Sequence, residues 1–144
     1  MGELLNDFTK YLCEVLAMNV EPEPWEGEAV LPLYLREQYQ FHQAKPAGGV
    51  RSFLLCIDRA EQTPALIEKN FMQLSTKTQD ALVYVRQSIT SYDRKRLIER
   101  KIPFVIPGSQ MYLPFVGIDL RERYTDNRNR SEIAFSPAAQ YLVL

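Results

Sequence analysis

Residues 53–106 read FLLCIDRAEQTPALIEKNFMQLSTKTQDALVYVRQSITSYDRKRLIERKIPFVI, and their rhythm sets the fold class. Phe53-Leu54-Leu55-Cys56-Ile57 is a continuous apolar run of strand length, as suits a strand buried on both faces. Thr63-Pro64 opens a helix, because proline's missing N–H would be unbonded in a first turn anyway. That helix runs to about Leu74, with Leu66, Ile67, Phe71 and Leu74 inward. Residues 81–85, ALVYV, predict a second buried strand. Ser91 predicts the cap of a helix over 92–100, with Leu97 and Ile98 inward. Residues 102–106, IPFVI, predict a third strand, ended by Pro107-Gly108. Strands and helices alternating at this spacing imply right-handed crossovers and parallel pairing.

The flanks extend this core. Leu4, Leu5, Phe8, Leu12, Val15 and Leu16 recur at helical spacing, which predicts an amphipathic helix over 3–18. VEPEPWEGEAVLP reads as a loop tied down by Trp25, and Leu33 and Leu35 as a short helical turn. Tyr39 and Phe41 alternate with polar residues, and Pro46-Ala47-Gly48-Gly49 is a turn, so residues 38–58 predict a hairpin. After the third strand, MYLPFVGIDLRERY adds a short edge segment, since Pro114 and Gly117 argue against a central strand. The expected fold is α/β, a mixed sheet with an N-terminal antiparallel hairpin and parallel βαβ units, helices packed on the sheet. That layout is Rossmann-like or restriction-endonuclease-like. Residues 1–120 form this domain. Residues 121–135 are mostly polar and read as a linker. Ser136-Pro137 then opens a further helix over 136–144.

Composition is that of a globular protein: 46% of the 144 residues are apolar and 24% charged. No apolar stretch is as long as a membrane span, and the acidic start MGELLNDFTKYL is no signal peptide, so the expected setting is cytoplasmic. Cys13 and Cys56 each fall in an apolar pattern and read as buried free thiols. The net charge of −1 hides an asymmetry: residues 1–75 carry 11 acids and 6 bases, residues 76–144 carry 7 and 11, giving −5 and +4. The basic set is Arg94, Lys95, Arg96, Arg100 and Lys101, joined by Arg86. It could meet phosphates, or simply favour a helix C-terminus. Arg94, Arg96, Arg100 and Lys101 are the nucleic-acid-binding candidates.

Motifs for chemistry are sparse. His42 is the single histidine, and no Cys/His pair has metal-ligand spacing. There is no phosphate-cradling glycine loop and no G-x-S-x-G elbow, and no cofactor or metal is expected. Asp58 is the best-placed carboxylate, since ligands of α/β sheets bind at strand C-terminal ends. A metal-dependent nuclease would need a further acid and lysine on the next strand. ALVYVRQ supplies neither, so a hydrolytic domain centred on Asp58 is the alternative reading. Gln110, Tyr112 and Asp119 are further ligand-binding candidates, rimming a pocket beside Asp58.

The run SYDRKRLIERKIPFVIPGSQMYLPFVGIDLRERY, followed by FSPAAQYLVL, resembles an N-terminal domain of bacterial MarR-like winged-helix transcriptional regulators. The motif occupies Arg94 to Glu122: Arg-x-Arg-Leu-Ile, then Ile-Pro-Phe-Val-Ile-Pro-Gly, Tyr-Leu-Pro and Gly-Ile-Asp-Leu-Arg-Glu. The resemblance covers about the last 55 residues well. It implies a non-enzymatic regulatory or interaction domain, and that residues 136–144 are the truncated start of a winged helix. DNA would then be contacted through a C-terminal domain absent from this chain, under control of an unknown effector. Exposed Leu142 and Leu144 would favour a homodimer. No catalytic residues transfer from the resemblance.

Overall fold

A computed structural model of the chain describes residues 2–46 and 51–115. In chain order the elements are α1 (Gly2–Leu16), β1 (Glu23–Pro24), a 3₁₀ turn (Glu26–Val30), α2 (Leu33–Gln38), β2 (Tyr39–Ala44), β3 (Phe53–Asp58), α3 (Pro64–Leu74), β4 (Ala81–Val85), α4 (Ser91–Glu99), β5 (Phe104–Ile106) and β6 (Gln110–Tyr112). Two compact units divide the chain, Met1–Tyr112 and Leu113–Leu144, and these elements all lie in the first. The Gly48-Gly49 turn, Asp119, the polar linker and the helix start at Ser136 lie outside the described residues.

The fold is α/β. Among the described residues the sheet has six strands in the order β1-β2-β3-β4-β5-β6. β2 and β3 form the expected antiparallel hairpin, with Tyr39 opposite Asp58. β3, β4 and β5 are parallel, with Ile57 opposite Val85 and Val85 opposite Val105. β6 returns antiparallel on the edge. The central run advances one strand at a time in one direction, so same-handed crossovers put α3 and α4 on the same face. Their Ile67, Phe71, Leu74 and Leu97 make one core with Tyr39, Phe41, Leu54, Cys56, Tyr84, Phe104 and Ile106 of the sheet. The alternate residues Phe53, Leu55, Ile57, Val83, Val85 and Val105 point to the other face and are fully buried too. Two-sided burial is why these strands read as unbroken apolar runs.

Local chemistry explains the boundaries. The Thr63 hydroxyl accepts from the Leu66 N–H at the head of α3, with Pro64 in the first turn. The cap of α4 is Thr90, one residue before the expected Ser91, and its hydroxyl accepts from the Asp93 N–H. Both are hydroxyl residues before a helical run, so sequence alone does not separate them. α4 ends with Lys101 in the left-handed region at φ 57. The Lys101 N–H reaches the Ile98 carbonyl and the Ile102 N–H the Leu97 carbonyl, the paired closure that usually takes glycine. α1 buries Phe8, Leu12 and Leu16 at four-residue spacing, whereas Val15 is exposed. Cys13 is exposed as well, and only Cys56 is the buried free thiol expected of both. Trp25 does anchor its loop, its ring centroid 5.6 Å from that of Phe41. A side chain on Gly27 would collide with that indole.

Candidate functional site

The parallel strands end together. β3 closes at Asp58 and β4 at Val85, and the next residue, Arg86, turns back toward the neighbouring strand end. Its guanidinium lies within ion-pair reach of three carboxylates from three segments: Glu61 of the loop before α3 at 2.9 Å, Asp58 at 3.9 Å and Asp93 in the first turn of α4 at 3.9 Å. Arg86 and Asp58 are nearly buried, at 16% and 9% side-chain exposure, while Glu61 is open to water at 76%. The inner pairs therefore act in a low-dielectric setting, and the outer one is heavily screened.

Behind this ion cluster runs a buried amide and phenol network. Gln62 donates to Asp58 Oδ1 at 2.7 Å and accepts from the Tyr39 hydroxyl at 2.7 Å. Asn70 of α3 donates to Gln38 Oε1 at 2.6 Å and to the Tyr39 oxygen at 3.1 Å. Gln62 and Asn70 are both buried, and such groups stay buried because each meets partners. The Tyr84 hydroxyl is buried beside Asp58 without a hydrogen bond of good geometry, and the charges of Asp58 and Arg86 act on it in opposite directions. Burial pushes the Asp58 carboxyl above its ordinary 3.8, and the Gln62 donor, the Tyr84 hydroxyl and the Arg86 charge pull it part of the way back. Burial also pushes the Tyr39 and Tyr84 phenols up, so both remain neutral donors at physiological pH.

Above this floor opens a cleft of about 550 Å³, between the 61–65 segment and the α4 residues Tyr92, Asp93, Arg96 and Arg100. Its size is that of a small-molecule site. Tyr92 is a large exposed ring, with the Arg96 guanidinium 5.0 Å from its centroid. Arg96 pairs with Glu99 at 3.0 Å, and Arg100 reaches across to Glu68 of α3 at 2.7 Å.

The expected site residues divide. Asp58 is in the ion cluster, and Arg96 and Arg100 line the cleft above it. Arg94 and Lys101 are exposed outside it. Gln110 and Tyr112 are on β6, three strand positions from β3, about 14 Å at the usual spacing. Gln110 faces Ile106 and Tyr112 faces Phe104. The Tyr112 ring packs on Phe104 at 6.0 Å and extends the core, so the β6 residues stand apart from Asp58 in the sheet. Sequence reading grouped Arg86 with the basic set of α4 and not with Asp58. Its signal was positional: Asp58 ends β3 and Arg86 directly follows β4, one step beyond the Ile57–Val85 pair, and that register emerges only from the fold. His42 is half-buried on β2, with Nδ1 lacking a partner, and burial lowers its pKa.

Among the described residues, no group of three or more His, Cys, Asp or Glu is placed to hold a metal ion, and no helix is long and apolar enough to cross a membrane. No family model, curated protein or solved structure matches the chain. The likeness to MarR-like regulators rests on its motif residues alone.

Proposed function

We propose that the chain is a non-enzymatic regulatory or interaction domain of a bacterial, cytoplasmic, DNA-binding transcriptional regulator. A small effector enters the cleft between α3 and α4, and DNA is contacted through a separate winged-helix domain. The observation that carries this reading is the placement of the cleft. It lies over the C-terminal ends of β3 and β4, where α/β sheets hold ligands. The carboxylates Asp58, Glu61 and Asp93 share one guanidinium, and Arg86 fills the space among them. That arrangement supports binding over acid–base chemistry. The motif over 94–122 supports the link to a DNA-binding partner domain.

The test joins the two halves of the reading. Operator DNA selected from a random library is titrated with the protein joined to its winged-helix module, with and without Arg96→Glu in the cleft. The expected result is a change in DNA affinity of about tenfold, or 1.4 kcal/mol of coupling. Equal affinities would separate the cleft from regulation. Metal-dependent cleavage of the DNA, lost in Asp58→Asn, would replace this reading with the hydrolytic one.

A further inference from the structure

The cleft carries both signs of charge, and they are sorted along its length. On α4, Tyr92 and Asp93 open the first turn, Arg96 follows one turn on, and Arg100 one turn further. At about 1.5 Å rise per residue, Arg96 is about 4.5 Å along the axis from Asp93, and Arg100 about 10 Å. Glu61 joins Asp93 at the acidic end. Three carboxylates there share the single Arg86 guanidinium, so the cluster keeps excess negative charge. At the other end each guanidinium spends an NH1 group on an exposed glutamate, Glu99 or Glu68. Each keeps further N–H donors for a ligand, and exposed pairs of this kind exchange at little cost. The Tyr92 ring stands at the acidic end, with the Arg96 guanidinium 5.0 Å from its centroid, and the rest of its exposed surface can take an aliphatic segment.

We propose that the cleft binds a small zwitterion of the amino-acid or short-peptide class, its ammonium held by Glu61 and Asp93 and its carboxylate by Arg96 and Arg100. The inference rests on the regulatory-cleft reading and names its ligand. A simple anion would meet the excess negative charge that Glu61, Asp93 and Asp58 keep beyond the single Arg86, and a simple amine would leave the guanidinium end unused. Only a molecule with both groups satisfies both ends, and guanidinium forks match carboxylate geometry. The cleft volume admits an amino acid or a dipeptide.

The test is calorimetry and thermal shift of the chain against amino acids and dipeptides, alongside the amines and carboxylic acids that lack one of the two groups. Zwitterions should bind saturably, and the one-charge analogues at least about tenfold more weakly. Arg96→Gln with Arg100→Gln, and separately Glu61→Gln, should each weaken binding by about tenfold or more. These side chains are solvent-accessible, so the variants should keep the circular dichroism of the parent. Three results would overturn the proposal: no zwitterion binding at millimolar concentration, equal binding of one-charge analogues, or binding untouched by the variants. A response confined to monocarboxylates or neutral compounds, and lost in the arginine variant, overturns the zwitterion but leaves the regulatory cleft in place.

Discussion

Arg86 is the residue on which the strand ends converge. Removing one partner of a buried ion pair leaves an uncompensated charge, which costs far more than the pair itself contributes. Arg86→Met should therefore destabilise the protein by about 3 kcal/mol. Adding Asp58→Asn should recover part of that loss, because the stranded charge goes with it. Urea unfolding of the two variants checks this, and a double variant as unstable as the single would contradict it. Asp58 also makes a pH prediction. Its folded pKa is raised above 3.8, so the native state binds more protons than the unfolded chain between the two values. The contribution of Asp58 to stability is then largest below about pH 4 and falls as pH rises through the folded pKa. The stability of wild type relative to Asp58→Asn should decline over that window. A flat or rising difference would mean that Arg86 and Gln62 outweigh burial.

At the scale of elements the sequence was an accurate guide wherever burial dictated pattern. Two-sided burial makes β3, β4 and β5 apolar throughout, and Thr63-Pro64 marks the head of α3. The N-cap of α4 was less legible, because Thr90 and Ser91 are both good caps and only backbone geometry chooses between them. Thr90→Ala should cost about 1 kcal/mol and Ser91→Ala much less, measured as shifts of the urea midpoint. Similar losses from both would show a shared cap. The far end of α4 gives the opposite sign. Lys101 pays the steric cost of a left-handed backbone at φ 57, so Lys101→Gly should stabilise by about 1 kcal/mol. That variant also removes a candidate phosphate contact, which separates its structural role from any electrostatic one. Val15 and Cys13 mark where helical periodicity alone misleads: both extend the apolar pattern of α1, yet its buried stripe is the narrower Phe8, Leu12, Leu16 series.

For the whole molecule, the sequence brought Asp58, Arg96 and Arg100 within reach but not the reason they belong together. That reason is the register of β3 with β4 and the crossing of α3 beside α4, long-range facts that local patterns do not encode. The same pairing decides how the chain should meet DNA. Its second half is basic by composition, yet Arg86 is spent on three acids, Arg96 on Glu99 and Arg100 on Glu68. Arg94 and Lys101 make no ion pair among the described residues, and Lys95 joins them on the exposed side of α4. The net charge is −1, so no broad positive field draws the duplex in. The three unpaired cations on and just after α4 would neutralise about three phosphates, which gives their face a salt slope of about −3 and affinity no tighter than about 10⁻⁴–10⁻⁶ M at physiological salt. Fluorescence anisotropy of the 144-residue chain with random duplexes, repeated across salt concentrations, reads both quantities. Charge reversal of Arg94 and Lys95 should remove most of the binding, whereas Arg100→Gln should change it little, since that guanidinium already serves Glu68. Sub-micromolar, sequence-selective binding would instead place base-reading residues within these 144 and would contradict the proposal that DNA is contacted through a separate module.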